Sequence, residues 1–124
     1  HASWESFFSD VHYLTDTLLE EGLFDRTLVL AVSDLGRAPK RNGRDGKDHW
    51  PVSSAMLLGA GVRGGRTIGA TDDALQALPI HVPSGRLDAA GTLPSAASLF
   101  AGVLWSLHID PAPWGVDAEP LRFV

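Results

Sequence analysis

The segment at residues 27–33, with the sequence TLVLAVS, constrains the fold of this chain more than any other. It is rich in β-branched residues and is apolar at positions that face both sides of a strand. Such a strand is typical of a parallel sheet that is covered by helices on both faces. A helical pattern at residues 3–21 precedes it, so helix, short loop and buried strand make half of a βαβ unit. The segment therefore predicts an α/β fold.

The remaining pattern predicts few further elements. Ser3 is the expected N-cap of the first helix and Gly22 its C-cap. Apolar residues at helical spacing predict this helix: Trp4, Phe7, Phe8, Val11, Leu14, Leu18 and Leu19. Further along, we expect a long loop at 35–51, strands at 54–58 and 80–82, an extended piece at 67–70, and helical turns at 71–78. A last helix should begin near residue 92 or 93, and residues 111–124 should run extended over the surface.

Two or three strands are too few for a complete doubly wound sheet, which usually has about five or six. We therefore predict one domain over residues 1–124, with a partial sheet and flanking helices that is incomplete on its own. Either a second copy of the chain or a missing N-terminal half should complete it. The chain begins with His1 and not with Met, which fits a processed product or a fragment of a longer protein.

Composition excludes several classes of function. The net charge of −5 argues against non-specific binding to nucleic acid, which requires a basic face. There are no cysteines for disulfides or thiolate metal sites, and no apolar stretch approaches the roughly 20 residues of a membrane span. Residues 37–47 are basic, with five Arg and Lys residues. This stretch is either a solvated loop or a rim that attracts an anionic substrate.

Asp34 is the first candidate for a functional residue, because it directly follows the predicted buried strand. In open α/β sheets, ligands bind beyond the carboxyl ends of the strands. Asp48 and His49 follow a glycine-rich loop that returns toward that end, and carboxylate with imidazole suits zinc or a similar ion. In the alternative interpretation, which spacing alone favours, Asp48 caps a turn and His49 bonds a carbonyl.

Arg37 is a candidate anion-binding residue, since its guanidinium can form a bidentate fork with phosphate or sulfate oxygens; it is equally well a surface arginine. His12 should lie on the surface of the first helix and pair with Asp16, while His81 and His108 are interpreted as structural. No Gly-x-Ser-x-Gly nucleophile elbow is present, and the glycines at 59–65 lack the lysine and helix of a phosphate-binding loop.

Residues 27–51 resemble the bacterial family known as domain of unknown function 1501, in the alkaline phosphatase and sulfatase superfamily. The family's strand, its Gly-Arg-Thr-Pro element, an Asn, and Gly-Arg-Asp-His-Trp-Pro correspond here to DLGRAP at 34–39, Asn42, and GKDHWP at 46–51. The segment LLGAGVRGGRTIGATDD, the last helix and HIDPAP also resemble the family's text. The resemblance therefore covers nearly the whole chain and implies its C-terminal part.

This resemblance implies a divalent metal site, of zinc or a similar ion, with His1, Asp34 and His49 as ligands by position. It also implies two-metal displacement at a small anionic phosphate or sulfate ester, and an exported or periplasmic location. Two departures weaken that chemistry: Leu35 stands where phosphatases have a further histidine ligand, and the nucleophile of the superfamily would lie before His1. The chain alone is therefore not expected to turn over substrate, and a non-catalytic anion- or protein-binding relative is the alternative.

Overall fold

The computed structural model describes residues 2–123, and over this range the chain is a small mixed α/β structure with two helices and short antiparallel strand pairs. Two compact units are present. Within the described range, the first unit contains residues 2–32 and 55–62, and the second contains residues 33–54 and 63–123. In chain order the elements are α1 (Ala2–Glu20), a 3-10 turn (Phe24–Arg26), β1 (Leu28–Val32), β2 (Gly36–Arg37), β3 (His49–Trp50), β4 (Ala55–Gly59), β5 (Ile80–His81), β6 (Arg86–Leu87), α2 (Ala96–Ser106) and a 3-10 turn (Ala112–Trp114).

The first helix confirms its predicted pattern and its C-cap. Gly22 is left-handed, with φ of 65°, and its amide donates to Leu19 O at 3.1 Å. The amide of Leu23 reaches back to Leu18 O at 2.8 Å. These two bonds make the Schellman arrangement that satisfies the last carbonyls of a helix. Ser3 lies inside α1, so its predicted role as N-cap is wrong.

Strand β1 pairs antiparallel with β4, from Leu28 opposite Gly59 to Val32 opposite Ala55. This differs from the parallel, doubly covered strand that its composition predicts. Residues Leu28–Ala31 are half-buried, and Val32 is exposed. The reason is that β1 has a single neighbouring strand among the described residues, so no wider sheet surrounds it. Apolar composition thus identified the strand but not its partner.

The second unit contains the core of the described chain. Its buried apolar side chains are Ile80, Val82, Ala101, Leu121 and Phe123. Helix α2 begins at Ala96, slightly later than expected, because Ser95 is its N-cap and accepts from Ser98 N at 3.1 Å. Ser98 in turn is buried, and its carbonyl accepts from Leu121 N at 3.0 Å. Ser95, which caps the helix, therefore lies close to Ser98, which holds the C-terminal segment through Leu121.

The C-terminal segment packs against α2 rather than running over the surface. A Cβ atom at Gly102 would lie 2.3 Å from Leu121 O and 2.8 Å from the Phe123 ring. Only a residue without a side chain permits this approach. The prediction of a surface tail is therefore wrong for Leu121 and Phe123, whose side chains complete the core.

We expect Gly102→Ala to lower the free energy of unfolding by roughly 1–2 kcal/mol, measured by denaturant titration. Alanine favours a helix over glycine by about 1 kcal/mol, so a loss would show that the close approach of the tail outweighs helix propensity. Gly64→Ala is the matched control, because nothing lies within 4 Å of its Cβ position. A Gly102→Ala protein as stable as the unchanged chain would contradict this packing.

Candidate functional site

Asp34 lies in the short exposed connection between β1 and β2. Its neighbours are locally tied, since Ser33 Oγ donates to Leu35 O at 2.9 Å and Leu35 is half-buried. The Asp34 carboxylate forms no hydrogen bond or ion pair with any other residue in the described range. Its oxygens are therefore available to a ligand, and a ligand-binding role for Asp34 stays a prediction.

The long loop predicted at 35–51 contains a hairpin in which Arg37 of β2 lies directly opposite His49 of β3. The Ala38 amide donates to Asp48 O at 2.9 Å. Ala38 and Asp48, the next pair along the strands, are therefore a hydrogen-bonded pair. The Arg37–His49 pair is then of the non-hydrogen-bonded kind, in which opposite side chains are closest and lie on the same face. The pairing brings together two residues that stand twelve positions apart in the sequence.

Asn42 organises the connection between the two strands. Its Oδ1 accepts from the amides of Arg44 and Gly46, both at 3.0 Å, and its Nδ2 donates to Asp48 Oδ1 at 2.6 Å. All the hydrogen-bonding atoms of the amide group thus face the loop itself. Asn42 is part of the family pattern, and the Asn-Gly dipeptide at 42–43 is the turn signal that points to its role.

Asp48 and His49 differ in role although they are adjacent. Asp48 accepts the Asn42 bond, which agrees with the structural interpretation of this residue. The ring of His49 is exposed and forms no hydrogen bond with another of the described residues. The alternative in which His49 bonds a carbonyl is therefore not observed in this range.

Arg37 uses part of its hydrogen-bonding capacity within the hairpin. Its Nη1 donates to Lys47 O at 3.2 Å, which ties the end of β2 to the residue before Asp48. A guanidinium has five N–H donors, so most of its donors remain available to an anion. No carboxylate in the described chain pairs with Arg37.

Gly36 and Trp50, which lie opposite each other in the β2–β3 pair, have structural roles. A Cβ atom at Gly36 would overlap Val52 O, at 1.8 Å, so glycine is required there. Trp50, opposite Gly36, donates from its indole nitrogen to Leu75 O at 2.9 Å. Leu75 is left-handed, with φ of 60°, in a turn that Asp72 closes through bonds to the amides of Ala74 and Gln76. The helical turns predicted at 71–78 are thus replaced by this turn.

The basic residues of the hairpin are exposed: Arg37, Lys40, Arg41, Arg44 and Lys47. Among the described residues, Arg41 alone of these five is paired, with Asp45 Oδ1 at 2.6 Å. The basic stretch is therefore a solvated hairpin, and it also presents positive charge beside Arg37 and His49. The interpretation as a solvated loop is therefore confirmed, and attraction of an anionic substrate stays a prediction.

The described residues do not by themselves fit a metal ion. No three His, Asp or Glu side chains within residues 2–123 are placed to hold one together, whereas zinc sites use at least three protein ligands. Asp34 and His49 would supply two. The third predicted ligand, His1, lies outside the described residues.

The other histidines behave as their sequence context suggests. His12 Nε2 lies 3.4 Å from Asp16 Oδ2 on the exposed side of α1. His81 Nδ1 lies 2.8 Å from Ser84 Oγ in the β5–β6 turn. His108 is left-handed, with φ of 58°, just past α2, where its amide bonds Trp105 O.

We expect Asn42→Ala to speed amide hydrogen exchange at Arg44 and Gly46 by about fivefold, because both amides lose their acceptor and each such bond is worth about 1 kcal/mol. Lys40→Gln, which removes an exposed side chain from the same loop, is the control and should leave both rates unchanged. Unaltered exchange in Asn42→Ala would mean that Asn42 does not organise the hairpin.

Comparison with known proteins identifies the family of this chain. No helix in the described range is long and apolar enough to cross a membrane. Neither the curated proteins nor the solved structures contain a match to this chain. The sequence profile of the family described as "Protein of unknown function (DUF1501)" matches residues 10–84, which is more than half of the chain and includes both strands of the hairpin. The chain therefore belongs to the DUF1501 family.

Proposed function

We propose that this chain recognises the anionic group of a phosphate or sulfate ester, as the C-terminal part of a metal-dependent ester hydrolase-like domain related to alkaline phosphatases and sulfatases. The observation that carries the proposal is the pairing of Arg37 with His49 on one face of the hairpin. An arginine with available donors, beside an unengaged imidazole, offers a bidentate and a single contact to tetrahedral oxyanions.

Each residue then has a stated role toward the ester. Arg37 binds and orients the non-bridging oxygens, and the bond to Lys47 O limits the motion of its guanidinium. His49 contacts the same group from the opposite strand. Asn42 keeps the loop that joins them in one conformation through its three hydrogen bonds. The surrounding basic residues raise the local concentration of anions.

The metal-dependent part of the proposal is supported by the family resemblance, in which His1, Asp34 and His49 occupy ligand positions. Asp34 and His49 are both exposed and unengaged within the described chain. A divalent ion such as zinc would supply Lewis-acid stabilisation of the ester oxygens. Because the described residues provide at most two of its ligands, we assign no reaction step to it and propose no turnover by this chain alone.

A specific observation favours a second candidate, a non-catalytic relative that binds an anion or a protein through the same hairpin. Leu35 stands directly after Asp34, and its apolar side chain cannot bind a metal. No three-ligand group is found among residues 2–123. In this candidate the Arg37–His49 face keeps its anion-binding role while the metal site has decayed.

We also propose that further polypeptide covers the apolar residues of the first unit, from a second copy or from the rest of a larger domain. Trp4 and Phe8 on α1 are 66% and 55% exposed, and Val32 at the end of β1 is 52% exposed. The rings of Trp4 and Phe8 stack with their centroids 6.1 Å apart, and neighbouring exposed apolar side chains of this kind are typical of surfaces that contact other protein. An exported location follows from the family resemblance and belongs to the same proposal.

Arg37→Gln should weaken the binding of inorganic phosphate by about tenfold, since a charge-assisted hydrogen bond is worth about 1.5–3 kcal/mol. Isothermal titration calorimetry on the full chain provides the measurement. Arg26→Gln makes the same change of charge in the other unit and should not alter the affinity. Equal affinities in all three proteins would rule out anion recognition by the hairpin.

Zinc titration separates the two candidates. In the hydrolase-like case, His49→Ala and Asp34→Asn each reduce zinc affinity by about tenfold or more, while His12→Ala does not. Zinc should then also strengthen phosphate binding, because a bound cation attracts the anion. Zinc binding that is equal in all four proteins, with phosphate affinity independent of zinc, would leave the non-catalytic candidate.

A further inference from the structure

We infer that the second unit contains another oxyanion-binding site, in a groove between the segment at residues 66–70 and the β5–β6 turn. The groove has a volume of about 540 Å³, and its lining includes Arg66, Thr67, Ser84 and Arg86. It shares no residue with the β2–β3 hairpin, and the inference does not depend on the proposed function. The shared chemistry of its ligand is a phosphate or sulfate group.

The groove exists because Gly85 allows its two walls to approach. Gly85 is left-handed, with φ of 69°, and a Cβ atom there would lie 2.9 Å from Ile68 Cγ2. Glycine therefore satisfies both the turn and the contact. Ile68 thus contacts the turn at the base of the groove, while the polar residues on either side of it, Arg66 and Arg86, come from opposite walls.

Arg66 is held in place without being neutralised. Its Nη2 donates to Arg122 O at 2.7 Å, so a backbone carbonyl orients the guanidinium and leaves it positively charged. A guanidinium held in this way loses little conformational entropy when an anion binds. Its remaining donors are available for the bidentate contact that tetrahedral oxyanions favour.

Arg86 supplies the second charge from the opposite wall. It is exposed, lies opposite His81 in the β5–β6 pair, and has no ion pair with a carboxylate among the described residues. No acidic residue lines the groove within that range. In a chain of net charge −5, two arginines without ion pairs that line one groove make a local positive site, and such a site attracts anions.

Hydroxyl groups complete the set of contacts. Ser84 Oγ lies 2.8 Å from His81 Nδ1 and donates to His81 O at 3.4 Å, so the turn holds this hydroxyl beside Arg86. Thr67 adjoins Arg66 and offers a second hydroxyl. A hydroxyl donates to anionic oxygens without adding charge. The volume of the groove lies within the range of small-molecule sites, which favours a small phosphorylated or sulfated compound over a protein segment.

The test is a titration of the full, isotopically labelled chain with pyrophosphate, followed by amide chemical shifts. We expect saturable shifts at the amides of residues 66–70 and 84–87, distinct from any shifts at the β2–β3 hairpin. Arg86→Gln and Arg66→Gln should each weaken binding by about tenfold or more, because each removes a charge-assisted contact. Arg63→Gln, which changes the same charge at a position that does not line the groove, should bind as the unchanged chain does.

Any one of four results would overturn the inference. Shifts that rise linearly without saturation would show an ionic-strength effect only. Saturable shifts that leave residues 66–70 and 84–87 unmoved would place the anion outside the groove, and so would equal binding by the Arg86→Gln protein. Binding of an acidic peptide with no response to pyrophosphate would identify a protein-docking surface instead. Arg86 is exposed, so its variant tests the site even if Arg66→Gln perturbs the hydrogen bond to the tail. The same titration with sulfate in place of pyrophosphate distinguishes a sulfated ligand from a phosphorylated one.

Discussion

The backbone hydrogen bond from Ala38 to Asp48 sets the register of β2 against β3, and the candidate site depends on it. In this register Arg37 faces His49, and both side chains are on the same face. A shift of one residue would move each of them to the opposite face of the hairpin. The strands are two residues long, so they cannot hold this register alone. Asn42 within the loop and Trp50 at the far end hold it instead.

Close backbone approaches determine the second unit. Gly36, Gly85 and Gly102 each lie where a Cβ atom would come closer than 3 Å to another atom. These three contacts allow the hairpin to meet Val52, the β5–β6 turn to meet Ile68, and α2 to meet the tail. The architecture thus relies on glycine at points of contact more than on long strands, which suits a chain with short strand pairs.

The elements that local physics determines could be predicted from the sequence. Helix α1 and its glycine cap follow from apolar spacing and from the left-handed conformation that Gly22 adopts. Strands β1 and β4 follow from apolar, β-branched composition. The strand partner could not be predicted, because an apolar strand fits parallel and antiparallel neighbours alike. The turn at 71–78 was also missed, since the bonds of Asp72 to Ala74 and Gln76 compete with a helix.

For the site, the sequence by itself determined the candidate residues: Asp34 after a strand, Arg37 in its Gly-Arg motif and His49 in its Asp-His-Trp motif. Membership of the DUF1501 family rests on that sequence too. Only the tertiary structure decided that Arg37 and His49 are cross-strand neighbours, that Asp48 is committed to Asn42, and that Arg66 and Arg86 line one groove. The physical reason is that residue type sets what a side chain can bind, whereas strand register and glycine contacts set which side chains meet.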